Sequence, residues 1–209
     1  MKALSVYAGA VDEIAPGLWH WRTRHPRIGI DVSSYYLEPE RVLLDPMIPP
    51  EGAEWLAEHG PPQHLVLTNR HHDRDSWQLR DEFGSTVCCI RNGVHELEGR
   101  GPAEPFDFGS ELPGGLVVYE VGAICPDETA LYAPAYRALA CADGVVRMRD
   151  GGGLDFVPDS LMDEPEETKS ALRNAYARLL DLDFDVLLLA HGDPVVGGAK
   201  DELRAFVER

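Results

Sequence analysis

The stretch His64-Leu65-Val66-Leu67-Thr68-Asn69-Arg70-His71-His72-Asp73-Arg74-Asp75-Ser76 changes character halfway along. Its first five residues, HLVLT, are a short apolar run that suits a buried strand. A polar turn follows at once, and a helix is predicted over Ser76 to Phe83, with Ser76 as its N-cap and Gly84 closing it. In α/β architecture, side chains just past the carboxyl ends of strands converge on a crevice. A turn carrying Asn, two His and two Asp at such a place offers imidazole and carboxylate together, the donors that suit zinc, iron or manganese. The competing explanation is a charged, solvated loop.

Working outward, the same pattern recurs. Val186-Leu187-Leu188-Leu189-Ala190 is an apolar run ending in His191-Gly192-Asp193, Ala140-Cys141-Ala142 ends in Asp143, and Val42-Leu43-Leu44 ends in Asp45. Further strands are expected over Thr86 to Ile90, Leu116 to Val121, Thr129 to Ala133 and Arg137 to Ala142. Helices are expected over Glu51 to Glu58, Pro165 to Leu182 and Ala199 to Glu208. The third of the four carries Leu172, Ala175, Tyr176, Leu179 and Leu180 on one face, with Asp163 as a capping candidate and Pro165 in its first turn. Gly151-Gly152-Gly153 marks a loop. Strands, then strand–helix alternation, then strands, then helix–strand–helix fit a four-layer αββα sandwich of two mixed sheets, formed by residues 1–209 as one domain.

Of 209 residues, 44 % are hydrophobic, enough for a sizeable core, and the formal net charge of −17 argues against nucleic acid or an anionic membrane surface as a partner. No apolar run approaches the roughly 18 residues of a membrane span, and Met1 to Ala10 lacks the basic and apolar regions of a signal peptide. Cys88, Cys89, Cys125 and Cys141 form no C-x-x-C pair. They are expected as buried thiols in a reducing, cytoplasmic setting. Among the other histidines, His20 and His25 are expected on a surface hairpin and His59 at a helix end.

These strand ends resemble those of the metallo-β-lactamase fold superfamily, which has T-H-x-H-x-D-H after one strand, G-H midway, G-D after a later strand and G-H-G near the C-terminus. The chain offers Thr68 to Arg74 for the first, Ala142-Asp143 for the third and Ala190-His191-Gly192 for the last. Leu43-Leu44-Asp45 stands where the superfamily has a V-L-L-D-T-G-like segment. The likeness runs from residue 13 to 207 and is most specific at LLLAHGDPVVGGAKDELRAFV. Asn69 and Arg74 replace the first and last loop histidines, and Gly122-Ala123 lacks the midway one. An Asn-first loop is also similar to that of the mono-zinc carbapenemase subclass, whose cysteine ligand corresponds to Asp143.

The resemblance implies one divalent transition metal, zinc first with iron or manganese as alternatives, held by Asp73, Asp143 and His191 with His71 as a further candidate. His71 and Asp73 are the implied catalytic residues. Asn69, Arg74, His72 and Asp45 would support the ligands or bind substrate, with Arg74 a fixed positive charge for an anionic substrate or for the Asp73/Asp143 pair. His72, His95 and Cys141 are alternative ligands. The implied activity is mononuclear hydrolysis of an ester, thioester, amide or phosphoester, with a small-molecule substrate. The alternative is a degenerate, metal-free pseudoenzyme with a binding or regulatory role.

Overall fold

A computed structural model describes residues 10–147 and 152–209. The signal-peptide expectation for Met1 to Gly9, and Gly151 of the glycine loop, lie outside the described residues. The first sheet has seven strands in sequence order: β1 (Asp12–Ala15), β2 (Leu18–Arg24), β3 (Asp31–Leu37), β4 (Val42–Leu44), β5 (His64–Val66), β6 (Thr86–Ile90) and β7 (Glu104–Phe106). It is antiparallel from β1 to β4 and parallel from β4 to β7.

The second sheet comprises β8 (Glu111–Leu112), β9 (Leu116–Glu120), β10 (Thr129–Ala133), β11 (Ala138–Cys141), β12 (Val186–Leu189) and β13 (Val195–Val196). Its spatial order is β13-β12-β11-β10-β9-β8, with only β11 and β12 parallel. Helices α1 (Ala53–Glu58) and α2 (Ser76–Phe83) contribute Leu56 and Leu79 to the first sheet's core, and α3 (Pro165–Leu179) and α4 (Ala199–Val207) cover the second sheet. Two mixed sheets between helices are the αββα sandwich that the order of elements implied.

Period-2 alternation sorts the residues of the second sheet between its two faces. Ala138, Ala140, Val186 and Leu188 join the first sheet's core, while Leu139, Cys141, Leu187 and Leu189 pack with Leu172, Tyr176, Leu203 and Phe206 of α3 and α4. Cys141 therefore faces the helix layer, and it is not among the residues gathered at the sheet edge. All four cysteines are free and buried.

Several local expectations need correction. α1 begins at Ala53 because Gly52 holds a positive φ of 93°. Asp75, not Ser76, occupies the N-cap of α2, and its carboxylate accepts the Ile48 amide proton at 2.8 Å instead of capping the helix. Glu164 takes the N-cap place of α3 in preference to Asp163, and the helix ends at Leu179. His20 and His25 are not on the surface: both are buried, His20 stacked on Tyr35 and 3.1 Å from Ser33 Oγ. Burial, with Arg22 adding to it, drives the His20 imidazole down to about 3, so it is neutral at physiological pH. Among the described residues, no helix is long and apolar enough to cross a membrane.

Polar seams join the sheets at one edge. The Ser33 amide donates to Ala190 O (3.0 Å) and Tyr35 OH donates to Leu189 O (2.8 Å). The Thr129 amide and hydroxyl both donate to Thr68 O, at 2.9 and 2.8 Å. These bonds hold the end of β5 against the start of β10, and β3 against the end of β12.

Candidate metal centre

Three of the strand ends meet at that edge. The turn after β5 contains a 3-10 segment, Arg70–His72, started by Asn69, whose Oδ1 accepts the His71 amide proton at 2.8 Å. This tight turn directs His72 inward and leaves His71 exposed on the wall of the overlying cavity. The turn after β11 brings in Asp143, and the end of β12 brings in His191. Asp143 Oδ1 lies 3.3 Å from His72 Nε2 and 3.0 Å from His191 Nε2, and the three donor atoms lie within 4.8 Å of one another.

Each of these side chains is supported from behind. β4 runs parallel to β5, with Leu44 opposite Val66, so the residues that follow the two strands are neighbours. Asp45 accepts the Thr68 amide (2.8 Å) and hydroxyl (2.7 Å), and its Oδ2 lies 3.0 Å from His72 Nδ1. Asn69 Nδ2 donates to Asp143 Oδ2 at 2.9 Å. The Gly144 amide donates to Glu128 Oε1 at 2.6 Å, which fixes the turn carrying Asp143. His191 Nδ1 is buried with no partner among the described residues.

Electrostatics follow from this packing. Burial alone would push the His72 imidazole down, but the carboxylates of Asp45 and Asp143 on either side outweigh it and lift it to about 9. Burial would raise the Asp143 carboxyl, but His72 and His191 hold it well below the ordinary carboxylate range. Behind them, burial and the nearby Asp143 charge push Glu128 up to about 8.

The structure does not bring Asp73 to this group. Its carboxylate turns away to accept from Trp77 Nε1 (3.0 Å) and to pair with Arg27 (3.3 Å) and Arg100. The resemblance implied Asp73 as a ligand, whereas the 3-10 turn sets His72, not Asp73, beside Asp143 and His191. Arg74 makes no ion pair with Asp73 or Asp143 and acts on Asp143 only through its nearby charge. Its buried guanidinium donates to the carbonyls of Ser33 (2.6 Å) and Asp45 (2.8 Å) and reaches Ala190 O at 3.5 Å, tying the two sheets together beneath the centre. His95 is exposed beside Glu96 and takes no part. Asp45 and Asn69 stand as supports behind the donors. Glu128 was missed, because nothing in a lone Asp-Glu pair before a strand marks it as buried.

The donor set fits one divalent transition metal. Bonds of about 2.0–2.2 Å at tetrahedral angles put ligand atoms roughly 3.3–3.6 Å apart, and Asp143 Oδ1 lies 3.3 and 3.0 Å from the two imidazole nitrogens. The Asp45–His72 contact is the carboxylate–histidine arrangement that fixes the tautomer of a metal-binding imidazole.

The chain has the metallo-β-lactamase fold. No protein-family model and no curated protein matches its sequence, and the likeness is structural. It superposes on the DIM-1 metallo-β-lactamase exposed to ceftazidime with a TM-score of 0.70 at 16 % identity, covering 98 % of each chain. A metallo-β-lactamase family protein from Thermus thermophilus matches at 0.64 and 17 %, over 94 % of this chain and 81 % of that one. The Flv1 flavodiiron core from Synechocystis matches at 0.71 and 14 %, over 95 % of this chain and 60 % of that one.

Proposed function

We propose that the protein is a mononuclear metal-dependent hydrolase acting on an ester, thioester, amide or phosphoester of a small molecule. The observation that carries this is the convergence of His72, Asp143 and His191 on the lining of a cavity of about 840 Å³. A divalent metal, zinc first, bound there would supply Lewis-acid polarisation and an activated water. The chain's own part is to present the donors. Asp45 beside Nδ1 of His72 turns Nε2 toward the group, and Asn69 holds Asp143 Oδ2 so that Oδ1 faces both imidazoles. His71, exposed on the cavity wall, is the group placed to pass protons to and from solvent. The four reduced, buried cysteines favour a cytoplasmic setting.

One observation favours a second, metal-free reading. A protonated His72 between Asp45 and Asp143, with the buried Arg74 guanidinium nearby, would offset both carboxylates without a metal, as in a pseudoenzyme. Elemental analysis of protein purified without added metal, with hydrolysis of p-nitrophenyl acetate and bis(p-nitrophenyl) phosphate before and after chelation, separates the two. About one metal per chain with chelator-sensitive turnover is expected. No metal and no turnover after zinc loading would reject the hydrolase.

A further inference from the structure

The cavity over the metal centre has an apolar side. Among the described residues only three large hydrophobic side chains are exposed, and two of them, Ile28 (56 %) and Leu161 (64 %), line this one cavity. Ile30, from the connection between β2 and β3, and Val157, ahead of α3, extend the same lining. Exposed apolar side chains gathered on one concavity mark a binding surface for apolar matter.

The cavity also has a cationic side. Among the described residues Arg27 and Arg100 share a single paired carboxylate, that of Asp73, which Trp77 Nε1 anchors as well. Two guanidiniums on one carboxylate leave one positive charge over. Their side chains are 60 % and 42 % exposed, so they remain accessible. The other two arginines of the lining have no such surplus. Arg70 pairs with Asp127 and Glu96, and Arg74 is buried, bonded to main-chain carbonyls and offset by the nearby carboxylates of Asp45, Asp143 and Asp75. In a chain of net charge −17, a cationic spot beside exposed apolar side chains selects strongly among ligands.

From this juxtaposition we infer that the cavity takes a small amphipathic anion: an apolar, acyl-like body lying along Ile28, Ile30, Val157 and Leu161, with one carboxylate-type group at Arg27 and Arg100. That this ligand is the substrate rests on the hydrolase proposal; that it binds does not.

The test is isothermal titration of the full chain, zinc-loaded and chelator-treated, with octanoate, hexanoate, 1-octanol and octylammonium, and with metal content measured on the same samples. Octanoate is expected to bind at least about tenfold tighter than 1-octanol or octylammonium, the return of one charge-assisted hydrogen bond at a partly exposed site. It should exceed hexanoate by up to about fourfold per buried methylene. Arg100→Gln leaves Arg27 balanced by Asp73, so octanoate should fall to the level of 1-octanol. Leu161→Ser should flatten the chain-length dependence and keep the charge preference. Equal binding of octanoate and 1-octanol, or tighter octylammonium, overturns the inference. So does an octanoate preference that Arg100→Gln leaves intact and chelation removes, because the anion would then sit on the metal. A preference shown by protein that takes up no metal even on zinc loading supports the inference while counting against the hydrolase.

Discussion

Replacing Asp143 by Asn isolates what the His72–Asp143–His191 group contributes. Asparagine keeps the shape and one acceptor oxygen but loses the charge. Without metal, the cost is the difference between charge-assisted and neutral hydrogen bonds from His72 and His191, at 3.3 and 3.0 Å, eased by less repulsion with Glu128. That amounts to about 1–2 kcal/mol. With metal the loss is larger. A metal present at about 100 times its dissociation constant stabilises the native state by about 2.7 kcal/mol, which for a chain of this size is roughly 5–10 °C in melting temperature. Thermal unfolding followed by circular dichroism, on wild type and Asp143→Asn with zinc and with chelator, gives four melting temperatures. The wild type should fall by roughly 5–10 °C on chelation, and the variant should be lower in both conditions with no chelator response. A variant that still responds fully to zinc, or a wild type that does not respond at all, would refute the three-residue centre.

Asp73→Asn should leave the zinc content at the wild-type level, because its carboxylate faces Trp77, Arg27 and Arg100; loss of metal in this variant would restore Asp73 as a ligand. Glu128 has a folded-state pKa near 8 against an ordinary 4.5, so the native state binds the extra proton and stability should fall as pH rises from about 4.5 to about 8. Urea titrations across that range should show the slope reduced in Glu128→Gln, and an unchanged slope would place the buried proton elsewhere. Gly192 has φ +101°, and a Cβ there would overlap the Arg147 carbonyl. Gly192→Ala should therefore cost about 3 kcal/mol or more in chemical denaturation, and a loss below about 1 kcal/mol would mean that the turn relaxes freely.

The layers of this fold were legible because they rest on simple periodicities: LLL and HLV runs ending in polar residues, and the apolar face of α3 from Leu172 to Leu179. The end of each strand also pointed to one edge, and Asp143 and His191 do lie together there. Which loop residue joins them was not legible. His71, His72 and Asp73 are adjacent, and which of them faces inward depends on a single 3-10 turn held by the Asn69 side chain and by Asp45 from a neighbouring strand. Arg74 misled for a related reason. Charge in a sequence suggests solvent or substrate, whereas here the guanidinium is buried by carbonyls that come from three separate segments.

The centre draws His72 from the first sheet and Asp143 and His191 from the second, across the seam that Arg74 and Tyr35 hold. No donor pair spanning that seam exists until the sheets have docked. Anything that binds all three donors therefore acts late on the folding pathway, after the rate-limiting nucleus if each sheet forms its own contacts first. Its effect should be to prolong the lifetime of the native state by slowing unfolding, with little change in the rate of folding. Native-state hydrogen exchange would then slow most at the amides of Ser33 and Thr129, which cross between the sheets, and least within the strands of either sheet.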